Sequence, residues 1–248
     1  MVNEARILLI DVETSPLTIY AWGVHEVNAI KVVKPWHLLC FAYQWLGEKT
    51  QFHANIDFGD PLDDKPLCKI LHGLLNEADI LIAQNGDAFD VKKINTRLLI
   101  HGFSPPSPYK TVDTLKVARS YFAFSSNRLD DLGKDLSEGE KIKHRGFDMW
   151  EGCMAGKEKD WLDMRRYNIG DITLLKKIYL RERPWIKNHP SLSVYEPLLA
   201  CPKCGSDRLQ SRGTQFNQTM QYNRFQCLNC GGWTRSNKGK KATGASNA

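Results

Sequence analysis

The segment Ile7-Leu8-Leu9-Ile10-Asp11-Val12-Glu13-Thr14 decides the fold of this chain. Its four consecutive apolar residues predict a buried strand. Asp11 and Glu13 stand at i and i+2, so they share one face of an extended backbone. Two carboxylates about 4–6 Å apart repel each other, and a divalent cation such as Mg²⁺ or Mn²⁺ removes that cost. The alternative is that both acids are solvated in a turn before Pro16, and this segment alone does not decide between a metal site and a solvated turn.

Length and composition are those of an ordinary globular protein. The chain has 248 residues, of which 42% are hydrophobic and 25% charged, enough for one large domain or a medium domain with a small one. No apolar run approaches the ~20 residues that a membrane helix needs. The first six residues lead directly into the predicted strand and leave no room for a signal peptide. We therefore expect a cytoplasmic protein.

The net charge of +6 is unevenly distributed along the chain. Residues 201–248 carry eight Lys or Arg side chains and a single acidic one, whereas residues 1–200 are close to neutral. A basic segment of this kind is typical of proteins that contact nucleic acid.

The order of predicted elements indicates an α/β domain over residues 1–183, because a run of strands is followed by alternating helices and strands. A linker over 184–197, a small metal domain over 198–235 and a disordered basic tail over 236–248 follow it. The predicted strands after the first are Leu17–Val24, Leu39–Leu46, Thr50–His53, Asp79–Ala83 and Lys110–Asp113. The predicted helices are Leu67–Asn76, Phe89–His101, Thr114–Tyr121, Leu129–Leu136 and Glu158–Arg181, with residues 139–156 irregular.

Two further acidic motifs follow the first. Asp90 falls in the first turn of a helix after a buried strand, where the helix dipole alone favours an acid. Tyr167 and Asp171 are i and i+4 on the long helix and share a face. Asp171 lies at the margin of the buried side, where an unpaired acid is costly. Gly170 costs about 1 kcal/mol of helix propensity, which indicates either a close backbone approach or a kink.

The segments 11–14, 85–90 and 167–171, in this order and spacing, resemble the three exonuclease motifs of the DnaQ-like (DEDD) 3′–5′ exonucleases. The resemblance covers about residues 6–180. A tyrosine four residues before the last aspartate, with Arg166 where the histidine branch has its histidine, resembles the tyrosine (DEDDy) branch. The segments 113–119 and 128–132 are also similar to phage exonucleases and to the proofreading domains of family B DNA polymerases.

The resemblance implies an RNase H-like fold: a mixed five-stranded sheet flanked by helices, with the first three strands antiparallel neighbours. Asp11 and Glu13 would lie at the end of the central strand. Two Mg²⁺ or Mn²⁺ ions would be held by four carboxylates, with Asp11 bridging, Glu13 and Asp171 on the water-activating metal and Asp90 supporting the second. Tyr167 would orient the water, since a pKa near ~10 makes tyrosine a poor base. Implied contacts to the terminal nucleotide come from Thr14, Asn85 and Phe89.

Four of the seven cysteines form two matched C-x-x-C-G motifs separated by 22 residues, namely Cys201, Cys204, Cys227 and Cys230. This spacing is typical of a tetrahedral zinc site. Disulfides fit a cytosolic chain poorly, and a thioredoxin-like redox function would need one such pair in a βαβ context. The other three cysteines are scattered and expected to be inert thiols.

The segment around these cysteines resembles a zinc ribbon, with strands over 209–213 and 219–226 and a third at Trp233. Arg212, Arg224 and Arg235 interleave with aromatic residues, a combination that suits single-stranded nucleic acid. Two alternatives remain open. The aromatic residues can form the core of the ribbon with solvated arginines, or the ribbon can dock on a protein such as a polymerase.

The function expected from the sequence is a two-metal-ion 3′–5′ exonuclease that hydrolyses DNA, at single-stranded 3′ ends, to nucleoside 5′-monophosphates. A replication or repair protein is a possible partner, and the location would be the host cytoplasm if a phage encodes the chain. An RNA 3′-end exonuclease is the alternative in the same class. A nucleic-acid-binding or polymerase-docking adaptor with a vestigial nuclease fold is the alternative in another class.

Overall fold

The computed structural model describes residues 5–25, 28–195 and 199–241. Its strands are β1 (Ile7–Thr14), β2 (Thr18–Tyr20), β3 (Lys31–Lys34), β4 (Leu38–Trp45), β5 (Gln51–Ala54), β6 (Ile80–Ala83), β7 (Lys110–Asp113), β8 (Leu209–Phe216), β9 (Met220–Cys227) and β10 (Trp233–Lys241). Its α-helices are α1 (Lys65–Glu77), α2 (Asp90–Ile100), α3 (Thr114–Tyr121), α4 (Leu129–Asp135), α5 (Phe147–Met154) and α6 (Glu158–Glu182). Among the described residues, no helix combines the length and apolar character required to cross a bilayer.

The main sheet has five strands in the order β5-β4-β1-β6-β7, with β1 in the centre. Strand β1 is antiparallel to β4 and parallel to β6, so the predicted mixed five-stranded sheet is confirmed. Both faces of β1 are covered, which explains its continuous apolar run. Ile7 and Leu9 pack towards α6 on one face, and Leu8 and Ile10 pack towards α1 and α2 on the other.

The segment Leu17–Val24 was expected to be a strand following β1, and the structure corrects this. Only Thr18–Tyr20 is extended there, and it pairs with β3 as a separate two-stranded ribbon. Most side chains of that ribbon are exposed, so no buried face holds it in the main sheet. The antiparallel neighbours in the main sheet are therefore β1, β4 and β5.

Residues 139–156, expected to be irregular, contain helix α5. The helix is short and follows Gly146, which adopts a positive φ of 67°, so its local pattern is weak. Its buried side chains, Met149 and Cys153, pack against Leu39 and Cys40 of β4. This helix is thus stabilised by tertiary packing rather than by its own periodicity.

The C-terminal module, residues 199–241, is a three-stranded antiparallel sheet in the order β10-β9-β8. All three predicted strands are present. Strand β10 continues to Lys241, so residues 236–241 are not part of a disordered tail as expected, because they pair with β9. Residues 242–248 lie outside the described residues.

The segment expected to be an extended linker is packed on the α/β domain up to residue 195. It contains 3₁₀ turns at Arg183–Trp185 and Leu192–Tyr195, and the buried side chains of Ile186 and Leu192 join the core. The C-terminal module is attached there: the Leu192 amide donates to the Pro202 carbonyl at 2.8 Å, and the Lys203 ammonium donates to the Pro184 carbonyl. Apolar burial thus fixes this segment.

Helix α6 packs across the face of the sheet that carries Ile7 and Leu9. Asn168, in the middle of the helix, donates to Asp11 near the C-terminal end of β1. Beyond the helix end, the Tyr195 hydroxyl lies beside the Asp79 carboxylate, which accepts a bond from the Arg6 amide just before β1. The C-terminal module is therefore attached just beyond the C-terminal end of α6, about 16 Å along the helix from Asp171.

Candidate active site and candidate metal centre

Four carboxylates come together beyond the C-terminal end of β1. Asp11 and Glu13 project from the β1 face that carries Ile7 and Leu9. Asp90 stands at the start of α2 and accepts a hydrogen bond from the Val12 amide at 3.0 Å. Burial raises the pKa of Asp11 well above its usual value, and the charges of Glu13, Asp90 and Asp171 raise it further. The structure thus gathers all four acids predicted from the sequence.

Burial raises the pKa of the other three carboxyl groups as well. Burial, followed by the charge of Asp171, raises the pKa of Glu13 to about 8. Burial raises the pKa of Asp90 to about 7, and burial also raises the pKa of Asp171. Four acids in so little solvent cannot all ionise unless a cation compensates them.

One cation of the chain already contacts this cluster. The Lys141 Nζ lies 2.6 Å from Asp171 Oδ2 and 2.8 Å from the Tyr167 hydroxyl oxygen. Nothing in the sequence marked Lys141, which belongs to a segment without periodicity. Its approach depends on how the chain folds between α4 and α5.

The oxygen donors of the cluster are of the kind that divalent metal ions bind. Asp171 Oδ1 is buried and has no hydrogen-bond partner among the described residues. An unpartnered carboxylate oxygen beside three other acids is a site that a cation stabilises, and oxygen donors suit Mg²⁺ and Mn²⁺. In the part of the chain that the structure describes, no three of these carboxylates bring oxygens within 4.8 Å of one another. The carboxylate oxygens, with the Lys141 ammonium among them, are thus farther apart than the ligands of a single metal ion.

Tyr167 and Asn168 face the cluster from α6. Tyr167 is buried, and burial with the charge of Asp171 raises the pKa of its hydroxyl, which therefore stays protonated. The ring of His144 meets the Tyr167 ring edge-on at 4.7 Å between centroids. The Asn168 amide donates to the main-chain and side-chain oxygens of Asp11. Sequence reasoning missed Asn168, although an asparagine between two candidate site residues of a helix was a signal.

Gly170 is explained by a close approach and not by a kink. A Cβ atom at this position would lie 2.8 Å from Cδ1 of Ile142, and α6 continues without interruption from Glu158 to Glu182. The absence of a side chain lets Ile142 pack on the helix. This contact holds the loop that carries Lys141 against the acid cluster.

A cleft of about 590 Å³ opens beside the cluster, lined by Asp11, Asn85, Lys141 and Asp171 among others. Asn85 adopts a left-handed φ of 61°, and its amide donates to Asp113 Oδ1 at 2.9 Å. Such backbone conformations in non-glycine residues often occur at functional sites.

The other two residues expected to contact the terminal nucleotide do not line this cleft. Thr14 is the last residue of β1 and is partly buried. Phe89 immediately precedes α2 and is 38% exposed, with the Lys93 ammonium 5.4 Å from its ring centroid. Both residues are therefore adjacent in sequence to site residues, but neither forms part of the cleft wall.

The four paired cysteines form a second cluster, at the base of the C-terminal module. Their Sγ atoms all lie within 4.8 Å of one another. The Sγ atoms of Cys201 and Cys230 are 3.8 Å apart, and those of Cys204 and Cys227 are 3.6 Å apart. A tetrahedral zinc site with Zn–S bonds of 2.3 Å has sulfur atoms about 3.8 Å apart. These four thiols can hold a zinc ion.

The three arginines predicted to bind nucleic acid lie on the C-terminal module, away from the acids. The guanidinium of Arg224 lies 5.1 Å from the Trp233 ring centroid and donates to the Arg212 carbonyl. The guanidinium of Arg235 lies 3.8 Å from the Tyr222 ring centroid. Two of the three thus stack on aromatic residues of their own sheet.

Comparison with known proteins gives a likeness of fold. No protein-family model matches this chain, and no curated protein matches it. Its fold is similar to that in the structure of the family B DNA polymerase from the hyperthermophilic archaeon Pyrobaculum calidifontis, with a TM-score of 0.52 and 11% sequence identity. The match covers 88% of this chain and 32% of the polymerase chain, so what the two share is the fold of part of that polymerase.

Proposed function

We propose that this protein is a metal-dependent 3′–5′ exonuclease of the DEDDy type with an RNase H-like fold. One observation carries the proposal. Four carboxylates from β1, α2 and α6 meet at the end of the central strand, and one of their buried oxygens has no partner among the described residues. A cluster that raises its own pKa values in this way is a typical functional site.

Asp11, Glu13, Asp90 and Asp171 would hold two Mg²⁺ or Mn²⁺ ions. Two such metal ions would supply a nucleophilic water at neutral pH and would stabilise the leaving oxygen of a phosphodiester. Asn168 orients the Asp11 carboxylate through its amide. Tyr167 keeps its proton, which suits orientation of the water and not general-base catalysis. Lys141 positions the Tyr167 hydroxyl.

DNA is the favoured substrate, with nucleoside 5′-monophosphates as products. The likeness to part of a DNA polymerase supports DNA over RNA. Thr14, Asn85 and Phe89 are the proposed contacts to the terminal nucleotide, of which Asn85 lines the cleft beside Asp11 and Asp171.

The C-terminal module is proposed to be a ribbon that holds one structural Zn²⁺ and binds nucleic acid through Arg212, Arg224 and Arg235. The cysteine geometry supports the zinc ion. Because the module is attached just beyond α6, about 16 Å along the helix from Asp171, a nucleic-acid contact there would involve nucleotides away from the reacting end. Docking of a replication or repair protein is the alternative role for the same surface.

The test is a time course on 5′-labelled single-stranded DNA and matched RNA, with Mg²⁺, Mn²⁺ or a chelator. Wild type runs beside Asp11→Asn and beside Asp87→Asn, which removes an acid that is paired with Lys116 outside the cluster. We expect wild type and Asp87→Asn to shorten the strand from its 3′ end in a metal-dependent reaction. In Asp11→Asn the rate of hydrolysis should fall about a thousandfold, which corresponds to ~4 kcal/mol of activation free energy. Tight binding without cleavage would overturn the proposal in favour of an adaptor.

A further inference from the structure

A second groove, of about 320 Å³, lies beside the loop that carries Lys141. We call it the basic groove, and its charged lining consists of Lys143, Arg145, Lys159, Arg166 and Asp163. None of the four clustered acids lines it. It is thus a surface separate from the cleft beside Asp11.

The charges of the basic groove are largely uncompensated. All four Lys and Arg side chains are exposed, and Arg145 is paired with Asp160 at the groove's edge. Within the described ranges, no acidic side chain comes within 4.0 Å of the charged ends of Lys143, Lys159 or Arg166. Cations that face solvent from a concave surface attract a polyanion.

The basic groove is held in a fixed position relative to the acids. The Lys141 amide donates to Asp130 Oδ1 at 2.7 Å, Ile142 packs on Gly170, and His144 packs on Tyr167. The same short loop therefore presents Lys141 to the acids and Lys143 to the groove. A chain that reaches the acid cluster past His144 meets these cations next.

We propose that the basic groove binds the phosphodiester backbone of the nucleic acid beyond the nucleotide that is removed. The inference rests on the proposed exonuclease function and adds a backbone subsite to it. The phosphates can come from the same strand, upstream of its 3′ end, or from the complementary strand of a duplex. Phosphate contacts of this kind position a substrate without reading its sequence.

The first arm of the test measures binding without added Mg²⁺ or Mn²⁺, so that the nucleic acid is not cleaved and the zinc ion of the C-terminal module is retained. Fluorescence anisotropy with a long single-stranded DNA and with a recessed duplex compares wild type, Lys143→Ala/Arg166→Ala and a matched control, Lys49→Ala/Lys69→Ala. The control removes two exposed lysines outside the groove, on the β4–β5 turn and on α1. We expect the groove variant to bind about tenfold more weakly, with a salt slope shallower by about 1.4 for the single strand.

The second arm measures hydrolysis. The groove variant should hydrolyse a dinucleotide without a 5′ phosphate like wild type, because its single phosphodiester is the bond that is cleaved and no further phosphate remains for the groove. Its KM for the long strand should rise about tenfold. A greater loss for the recessed duplex assigns the groove to the complementary strand, and an equal loss assigns it to the upstream phosphates. An unchanged salt slope for both ligands, or an equal loss with the dinucleotide, overturns the proposal. Absence of hydrolysis by wild type would instead refute the exonuclease, while the salt slopes still decide the groove.

Discussion

The cysteine cluster and the carboxylate cluster are assembled in different ways. Each C-x-x-C-G turn supplies two thiols within four residues, and the four sulfurs converge within 4.8 Å. The carboxylates come from three elements spread from Asp11 to Asp171, they do not converge as closely, and Lys141 stands among them. Two local motifs thus supply all ligands of the cysteine cluster, whereas the carboxylate cluster exists only after the whole α/β domain has folded.

This difference separates two kinds of dependence on a cation. The C-terminal module has few buried apolar side chains of its own, since most of β8 and β10 is exposed, so we expect its fold to depend on the metal. The α/β domain has an extensive core on both faces of its sheet. There, a metal would serve chemistry, and Lys141 can balance part of the charge in its absence.

The largest expected effect follows from Cys227→Ser. Zinc binding contributes about 10 kcal/mol or more to the folding of small zinc domains, so the module should become sensitive to protease while the α/β domain stays resistant. Limited proteolysis with mass spectrometry, together with the zinc content, measures this. Cys68→Ser, which alters a cysteine outside the cluster, is the control. A C-terminal module that resists protease without bound zinc would contradict the expectation that its fold depends on the metal.

The next effect concerns a buried acid that belongs to neither cluster. Glu182 is buried outside both clusters, and burial raises its pKa from 4.5 to about 8. Its proton is retained in the folded protein but lost from the unfolded chain as pH rises from 4.5 towards 8, so stability falls across this range, by about 4 kcal/mol at the upper end. Glu182→Gln should remove that decline. The free energy of unfolding, measured with urea at pH 5 and at pH 8, tests this. An equal fall between the two pH values for wild type and Glu182→Gln would refute it.

A smaller effect is expected from Lys141→Met. Loss of the ammonium leaves Asp171 and Tyr167 without their partner, at a cost of about 2 kcal/mol in the metal-free protein. Added Mg²⁺ should reduce that cost, because the cluster then has another cation. Denaturant unfolding with Mg²⁺ and with chelator measures both values. Lys116→Met, which breaks an exposed ion pair, should show no dependence on Mg²⁺.

The smallest effect concerns Gly170→Ala. The added methyl group displaces Ile142 but improves helix propensity, so stability should change little. The shifted loop misplaces Lys141, and we expect a loss of hydrolysis of about fivefold, or ~1 kcal/mol. Gly170→Ala/Ile142→Ala restores the space and should restore the rate. Failure of this rescue would show that Gly170 acts by another route.

Local patterns in the sequence predicted most of the elements. The bounds of α3 and β7 agree with the structure, and those of α1 and α6 agree within two residues, because their apolar spacing or capping signals lie within the segments themselves. Helix α5 and strand β3 were not predicted, and the strand predicted over 17–24 is present only as β2, in a separate ribbon with β3. Burial of α5 against β4 is non-local, and the exposed ribbon has no buried side to produce a pattern.

The sequence by itself determined the buried central strand, the shared face of Asp11 and Glu13, and the grouping of the four cysteines into two C-x-x-C-G motifs, because each of these depends on neighbours within a few residues. Only the tertiary structure decided that Lys141 and Asn168 contact the acids, that Gly170 makes room for Ile142, and that the C-terminal module is attached just beyond the end of α6. Those contacts join residues that are distant in the chain. Their proximity depends on how helices and loops pack, which short-range spacing does not encode.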